Sequence, residues 1–435
     1  MVERGQFMER KISEELLKWK IDDNKKPMLL YGISGCGKTY TILEFGKKEY
    51  KNTIYFDCSN NLELNYVFEK NSSLEKLIKA LSAISLETIF KEESLIVFDN
   101  VNEKIFKLVK KLFINSSYDI VMITSNEKFL TGNKAGEISL KKMNLVTFPE
   151  YLKFIGKEQL IDFIEDSFRN NKPMPFHSLA IEVYNDYVIT GGYPSTIINF
   201  HKENDYNILS SYHDKSILYI KDNLIESDNS EIKKGIEVFN SISFQLLKEN
   251  KKFLYGLVKP GGRGKDYENI ISYMEKNHLI IKSNRINAIT SPLSKCREED
   301  NFKLYYNDSG ILYKKMNVNS NRLLTNEKLL ETIYENNVVS VLSQNGFNVY
   351  NYHATGGKCE IDIVIQNRNG LIIPIEIYNK DMGSKSKSLG MTMTKYNLNF
   401  AIRLSNQNFS LKNKVKYIPY YAVFCIGDDM FIWKK

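Results

Sequence analysis

Residues 27–39 have the sequence PMLLYGISGCGKT, in which a short apolar run leads into a glycine-rich loop that ends in lysine and threonine. The run Met28–Tyr31 predicts a buried β-strand, and residues 32–39 match the pattern G-x-x-x-x-G-K-[ST]. Glycines let the backbone N–H groups of such a loop face inward, and the N-terminus of the next helix adds positive potential. The stretch therefore predicts a strand, a phosphate-binding loop and a helix.

The loop also predicts the ligand, a nucleoside triphosphate, and specifically ATP with Mg²⁺. Lys38 is expected to reach the β- and γ-phosphates, and the hydroxyl of Thr39 is expected to bind Mg²⁺. The predicted nucleotide contacts are Gly32, Ile33, Ser34, Gly35, Cys36, Gly37, Lys38, Thr39 and Tyr40.

Two later predicted strands end in polar residues that could take part in Mg²⁺ binding and ATP hydrolysis. Residues 94–99 are an apolar run ending in Asp99, the predicted second Mg²⁺ ligand; a buried strand ending at a turn aspartate is the alternative. Residues 119–124 are followed by Ser125 and Asn126, and Asn126 is the candidate for orienting the attacking water, with Ser125 or a plain turn as alternatives. Strands that alternate with helices predict an α/β fold with a parallel sheet covered on both faces.

The residue after Asp99 is Asn100, which can orient water but cannot accept its proton. Glu103 is the next carboxylate, about one helical turn further along. We therefore predict secure nucleotide binding with slow turnover, with Lys38, Asp99 and Asn126 as the catalytic residues.

A second set of acids lies near the C-terminus. Residues 360–366 and 371–378 predict a hairpin whose three-residue loop has Gly370 in the left-handed conformation. That register places Asp362 opposite Glu376, and two carboxylates at this distance repel unless a cation or proton lies between them. A divalent metal, Mg²⁺ or Mn²⁺, with Glu335 as a further ligand would activate water for phosphodiester cleavage.

The middle of the chain predicts a helix, a basic turn, a second helix and a strand. This order is typical of a winged helix. Lys259, Arg263 and Lys265 in the turn are the candidate contacts to DNA, but acids on the exposed helix face would repel phosphates. A module that packs domains together is the alternative.

The amino-acid composition limits which classes of protein this chain can belong to. The net charge of +8 is spread over 60 basic and 52 acidic residues, which permits contact with nucleic acid without requiring it. Five scattered cysteines argue against a disulfide framework or a zinc knuckle. The charged start of the chain and the lack of a long apolar run predict neither a signal peptide nor a membrane span, and therefore a cytoplasmic protein.

The phosphate loop is followed, in chain order, by Phe148-Pro149-Glu150-Tyr151, Gly191-Gly192-Tyr193-Pro194, residues 303–310 (KLYYNDSG) and the pair Glu360-Ile361-Asp362 and Ile375-Glu376-Ile377. In this motif order the chain resembles a group of bacterial and archaeal P-loop ATPases. In these an AAA/STAND-like ATPase precedes a winged helix and a C-terminal restriction-endonuclease-like domain of unknown function.

The resemblance implies roles for further residues. Pro194 would be the lid proline that packs near the adenine, although Gly-Gly-Tyr-Pro is also an ordinary turn. The chain departs from the group in three ways. Asn100 replaces a glutamate of the second ATPase motif, and the arginine that members carry near Gly136 is absent from this sequence. Tyr378 replaces a lysine of the nuclease motif, leaving Lys380 as the cation that could reach back.

The predicted domains are therefore an ATPase core at 1–147, a helical lid at 148–227, a winged-helix-like domain at 228–305 and a restriction-endonuclease-like α/β domain at 306–435. The predicted function is a slow ATPase coupled to a nuclease-like domain that acts on or binds nucleic acid. The alternative is a nucleotide-controlled regulatory protein with a degenerate nuclease fold. The sequence leaves the oligomeric state open.

Overall fold

The computed structural model describes residues 8–59, 61–70, 73–126, 136–224, 229–354, 359–377 and 385–428. The chain divides into two compact units, an N-terminal unit of residues 7–145 and a C-terminal unit that contains residues 146–435. Each unit has its own β-sheet. None of the helices described is long and apolar enough to cross a membrane.

The N-terminal unit alternates strands with helices. Its elements are α1 (Ile12–Lys20), β1 (Met28–Tyr31), α2 (Lys38–Glu49), β2 (Asn52–Asp57), α3 (Leu62–Lys70), α4 (Leu74–Ser85), β3 (Ser94–Asp99), α5 (Glu103–Phe113), β4 (Asp119–Thr124) and β5 (Ser139–Lys142). The strand order is β2-β3-β4-β1-β5, and every pairing is parallel. The predicted α/β class and parallel sheet are confirmed.

Burial explains why the central strands carry unbroken apolar runs. Every residue of β3 and of β4 is buried, as expected for parallel strands covered on both faces. One apolar cluster joins β2, β3 and β4 to helices α3, α4 and α5, with Phe98 stacked on Phe56 at a centroid distance of 5.5 Å. This packing fixes the strand ends at which the polar residues of the site lie.

The C-terminal unit begins with helices and ends with a mixed sheet. Its helices are α6 (Phe148–Phe154), α7 (Gln159–Asn170), α8 (His177–Thr190), α9 (Pro194–Glu203), α10 (Leu209–Leu224), α11 (Asn229–Leu246), α12 (Tyr255–Val258), α13 (Gly264–Lys276), α14 (Ser309–Met316), α15 (Ser320–Thr325), α16 (Glu327–Gln344) and α17 (Lys385–Lys395). Its strands are β6 (Ile280–Ile286), β7 (Arg297–Tyr306), β8 (Tyr350–His353), β9 (Glu360–Gln366), β10 (Ile372–Ile377), β11 (Ala401–Ser405), β12 (Ser410–Lys412) and β13 (Val415–Pro419). Short 3₁₀ turns occupy residues 206–208, 293–296 and 420–425.

The eight strands form one sheet in the order β12-β13-β11-β10-β9-β8-β6-β7. Strands β6 and β7 follow α11, α12 and α13, so the order predicted for the middle of the chain is present. However, β6 also pairs with β8 in parallel, through Asn284 and Tyr350 among others. The sheet therefore crosses the domain boundary predicted at residues 305 and 306, because a hydrogen-bonded strand partner is supplied from each side of it.

The hairpin of β9 and β10 has the predicted register. Gln366 pairs with Ile372, and Ile363 pairs with Ile375. Gly370 has φ +84°, and the N–H of Asn367 donates to the carbonyl oxygen of Leu371 at 3.0 Å. Both faces of this hairpin are buried, including the face that carries the acids.

Candidate functional site

The phosphate loop connects β1 to α2 in the predicted way. Gly37 has φ +98° and precedes the first residue of α2, a left-handed conformation that favours glycine. A Cβ added to Gly32 would lie 2.1 Å from the carbonyl oxygen of Met143, so the backbone passes too close for a side chain. The loop glycines are therefore required by the geometry of the loop.

Lys38 is held over the loop that precedes it. Its Nζ donates to the carbonyl oxygens of Gly32 at 2.7 Å and Ile33 at 3.0 Å, and to Oγ of Ser125 at 3.0 Å. The side chain is buried. A buried ammonium group among the inward-facing groups of this loop is suited to binding a polyphosphate.

Next to the lysine, oxygen atoms converge on Asp99. The hydroxyl of Thr39 donates to Oδ2 of Asp99 at 2.5 Å, and the hydroxyl of Tyr55 donates to the same oxygen at 3.1 Å. Hydroxyl and carboxylate oxygens are the ligands that Mg²⁺ prefers, so the donor set present fits this ion. The structure thus brings Thr39 and Asp99 together as the sequence predicts, although they are far apart in the chain.

The end of β4 contributes Ser125 more directly than Asn126. Ser125 contacts Lys38, whereas the backbone N–H of Asn126 donates to Oγ1 of Thr124 at 3.0 Å. Asn126 closes the turn after the strand, and its role toward water stays a prediction. Tyr40, another predicted contact, lies on α2 with 54% of its surface exposed.

Arg10 is a neighbour of the loop that the sequence pattern did not identify. Its guanidinium donates from Nη1 to the carbonyl oxygen of Cys36 at 2.8 Å and from Nη2 to that of Asn144 at 2.6 Å. The residue is buried, and its charge lies beside the backbone of the phosphate loop at Cys36. Nothing in the local sequence around Arg10 indicates this contact, which depends on the fold.

The Gly-Gly-Tyr-Pro motif lies in the C-terminal unit, where Pro194 is the first residue of α9. The N–H of Gly192 donates to Oδ2 of Asp308 at 2.6 Å, and a Cβ on Gly191 would lie 2.4 Å from Oδ1 of the same carboxylate. The motif thus separates α8 from α9, and a hydrogen bond from Gly192 attaches this break to Asp308. Contact of Pro194 with the adenine stays a prediction.

The C-terminal acids are each held by groups of the protein. Glu335 of α16 accepts hydrogen bonds from Lys251 and, at 2.7 Å, from the hydroxyl of Tyr305. Burial alone would raise the pKa of Glu335, but Lys251 and Lys303 outweigh it and lower that pKa. Asp362 accepts a hydrogen bond from the N–H of Ile377 at 2.9 Å.

Arg403 supplies the cation that the sequence prediction assigned to a metal. From β11 it contacts Glu376 of β10, with Nε and Nη2 each 2.7 Å from Oε2, and its Nη1 donates to the hydroxyl of Tyr417. No group of three or more His, Cys, Asp or Glu side chains in the described parts of the chain could hold a metal ion. Glu335, Asp362 and Glu376 are therefore not assembled as the predicted metal ligands. Tyr378 and Lys380 lie outside the described residues.

The basic turn of the middle region is exposed. Lys259 follows α12, Arg263 precedes α13 and Lys265 lies in its first turn, and all three are exposed. The buried side chains of α13 are Tyr267, Ile270, Ile271 and Met274, and the helix packs against α11. Recognition of DNA by the three basic residues stays a prediction.

Comparison with protein families gives the class of the N-terminal part of the chain. Residues 24–152 match the family model of an AAA domain, which includes the loop, Asp99 and the strand before Asn126. This match supports an AAA-type nucleotide-binding domain in these residues. Residues 181–322 match a domain of unknown function.

Among individual proteins, the chain is 25% identical over 319 residues to the uncharacterized protein MJ1637 of Methanocaldococcus jannaschii. The match covers 68% of this chain and 61% of that relative. Of the solved structures, the Walker-type ATPase PABY2304 of Pyrococcus abyssi is 12% identical with a TM-score of 0.42, covering 72% of this chain and 97% of that one. The STAND protein PH0952 of Pyrococcus horikoshii is 11% identical with a TM-score of 0.23, covering 78% and 46%.

Proposed function

We propose that the N-terminal unit binds ATP with Mg²⁺ and hydrolyses it slowly. The observation that carries this proposal is the convergence of Lys38, Thr39 and Asp99 at the start of α2. In this arrangement Lys38 would neutralise the β- and γ-phosphates, and the oxygens of Thr39 and Asp99 would hold Mg²⁺. Asn100, at the position where a glutamate would accept the proton of water, supports slow turnover.

The test is titration of the full chain with a fluorescent ATP analogue in Mg²⁺, for wild type, Lys38→Ala and Lys47→Ala. Loss of a charge-assisted contact of about 2 kcal/mol predicts roughly 30-fold weaker binding for Lys38→Ala. Lys47 lies in the last turn of the same helix and is exposed, so its substitution should change nothing. Equal affinities for all three proteins would exclude the loop as the nucleotide site.

For the C-terminal unit we propose a nucleotide-controlled binding function, with nucleic acid as the candidate partner and the cytoplasm as the compartment. The observation behind it is the buried ion pair of Arg403 with Glu376, which already neutralises an acid that a metal-dependent nuclease would use. The exposed basic turn at Lys259, Arg263 and Lys265 is the candidate contact surface.

A nuclease is the second candidate, because the pairing of Ile363 with Ile375 places the next residues of the hairpin, Asp362 and Glu376, opposite each other. We would assay the full chain with Mn²⁺ or Mg²⁺ on labelled single- and double-stranded DNA and RNA, beside Asp362→Ala. Cleavage that disappears in the variant would establish the nuclease, whereas salt-sensitive binding without cleavage would support the binding function.

A further inference from the structure

The end of strand β2 places a carboxylate beside Asn100. Asp57 is the residue of β2 that pairs with Asp99 in the parallel register. The side-chain amide of Asn100 donates from Nδ2 to Oδ1 of Asp57 at 3.1 Å. Asn100 itself has φ +53°, a left-handed conformation that asparagine tolerates, and this turns its side chain toward β2.

Asp57 also lies on the face of the sheet that carries the nucleotide chemistry. Tyr55 and Asp57 are alternate residues of one strand and therefore point to the same face. The hydroxyl of Tyr55 contacts Asp99, which Thr39 of the phosphate loop also contacts. Asp57 is thus one strand away from the oxygens expected to hold Mg²⁺, and its side chain is exposed where water can reach it.

The environment keeps this carboxylate ionised. Burial would raise its pKa, but hydrogen bonds from the backbone of Ser59, from Asn100 and from the hydroxyl of Ser59 outweigh burial and lower the pKa of Asp57. Glu103, the other acid near the motif, instead begins α5 and pairs with Lys107 at 2.6 Å on an exposed surface.

We propose that Asp57 and Asn100 act as a pair that replaces the glutamate of the second ATPase motif. Oδ1 of Asn100 orients the attacking water, and the carboxylate of Asp57 accepts its proton. The water oxygen forms a bond to the γ-phosphorus, the bond from that phosphorus to the β,γ-bridging oxygen breaks, and ADP leaves with the electron pair. Asp57 then releases the proton to solvent, and the products are ADP, inorganic phosphate and a proton.

This inference rests on the proposed ATP hydrolysis and goes beyond it by naming the proton acceptor. A carboxylate with a lowered pKa is a weak base, which agrees with slow turnover. In a loose phosphoryl-transfer transition state the water proton leaves late, so a weak base still contributes.

The test compares steady-state ATP hydrolysis and ATP affinity of the full chain for wild type, Asp57→Asn, Glu103→Gln and the exchange Asp57→Asn with Asn100→Asp. Asp57→Asn retains an acceptor for Asn100, so folding and affinity should hold while kcat falls about 100-fold. The exchange returns a carboxylate to the pair and should recover kcat to within about 10-fold of wild type. Glu103→Gln is the matched acid and should leave kcat unchanged.

The possible results distinguish failure of the role proposed for Asp57 from failure of the proposed ATP hydrolysis. If wild type hydrolyses ATP and Asp57→Asn does so equally well, the inference fails and the ATPase stands. If Asp57→Asn loses ATP affinity together with kcat, Asp57 serves binding and the proposed role is wrong. If wild type binds ATP without turnover above the Lys38→Ala background, hydrolysis and this inference both fail, and only binding remains.

Discussion

At the scale of single residues, the ion pair between Arg403 of β11 and Glu376 of β10 links two neighbouring strands of the C-terminal sheet. Both side chains are buried, with side-chain exposures of 9% and 2%. Arg403→Met would leave the carboxylate of Glu376 buried without this cation, and removing one partner of a buried pair costs about 3–5 kcal/mol. We expect that loss in the free energy of unfolding of the C-terminal unit, measured in urea.

Two further variants identify the cause. Arg403→Met combined with Glu376→Gln removes the charge as well and should recover most of the stability. Arg169→Ala breaks an exposed pair with Glu165 in the same unit and should cost less than about 1 kcal/mol. If the double variant is as unstable as Arg403→Met, packing of the arginine rather than its charge stabilises the sheet.

The carboxyl group of Asp308 should make the free energy of unfolding depend on pH. Burial raises its pKa to about 6, although the N–H groups of Gly192, Ile311 and Gly310 oppose the shift. A raised pKa contributes stability that is present below the ordinary value of 3.8 and is lost as the pH rises through 6. Between pH 4 and pH 7 wild type should therefore lose about 2 kcal/mol relative to Asp308→Asn. Urea unfolding of both proteins across this range measures it, and a constant difference would contradict the assignment.

At the scale of elements, the same carboxylate joins the turn between α8 and α9 to the start of α14. Gly191 has φ +72° and no room for a Cβ beside Asp308. Gly191→Ala should therefore destabilise the C-terminal unit by more than about 2 kcal/mol in urea unfolding. Gly156 has φ +69° with nothing within 4 Å, so Gly156→Ala should cost only the backbone term of about 1 kcal/mol. Equal costs would mean that the contact with Asp308 adds nothing.

Elements built from local signals could be predicted from the sequence, and those built from distant contacts could not. The hairpin of β9 and β10 followed from alternation and one glycine, since a slip by one residue would move its acids onto the isoleucine face. The phosphate loop followed from its spacing. Arg10, Asp57 and Arg403 were missed because each contacts its partner only after strands or helices far apart in sequence are brought together.

At the scale of the whole molecule, the two units have separate sheets and only the N-terminal one carries the phosphate loop. A ligand that binds the folded state at 100 times its dissociation constant stabilises that state by about 2.7 kcal/mol. In calorimetry of the full chain, ATP with Mg²⁺ should raise the unfolding temperature of one transition and leave the other unchanged. Lys38→Ala is the control: with roughly 30-fold weaker binding it should keep only about 0.9 kcal/mol of this stabilisation and show a correspondingly smaller shift. If both transitions move together, the units unfold as one.

The pairing of β6 with β8 limits where recombination between genes can divide this chain. A recombination event that fused or deleted sequence at residue 306 would separate β6 from its neighbour and leave two open strand edges, which invite aggregation. A break at residue 145 cuts no strand pair of either sheet. Descendants of this gene should therefore exchange residues 7–145 as one module, and should keep residues 146–435 together.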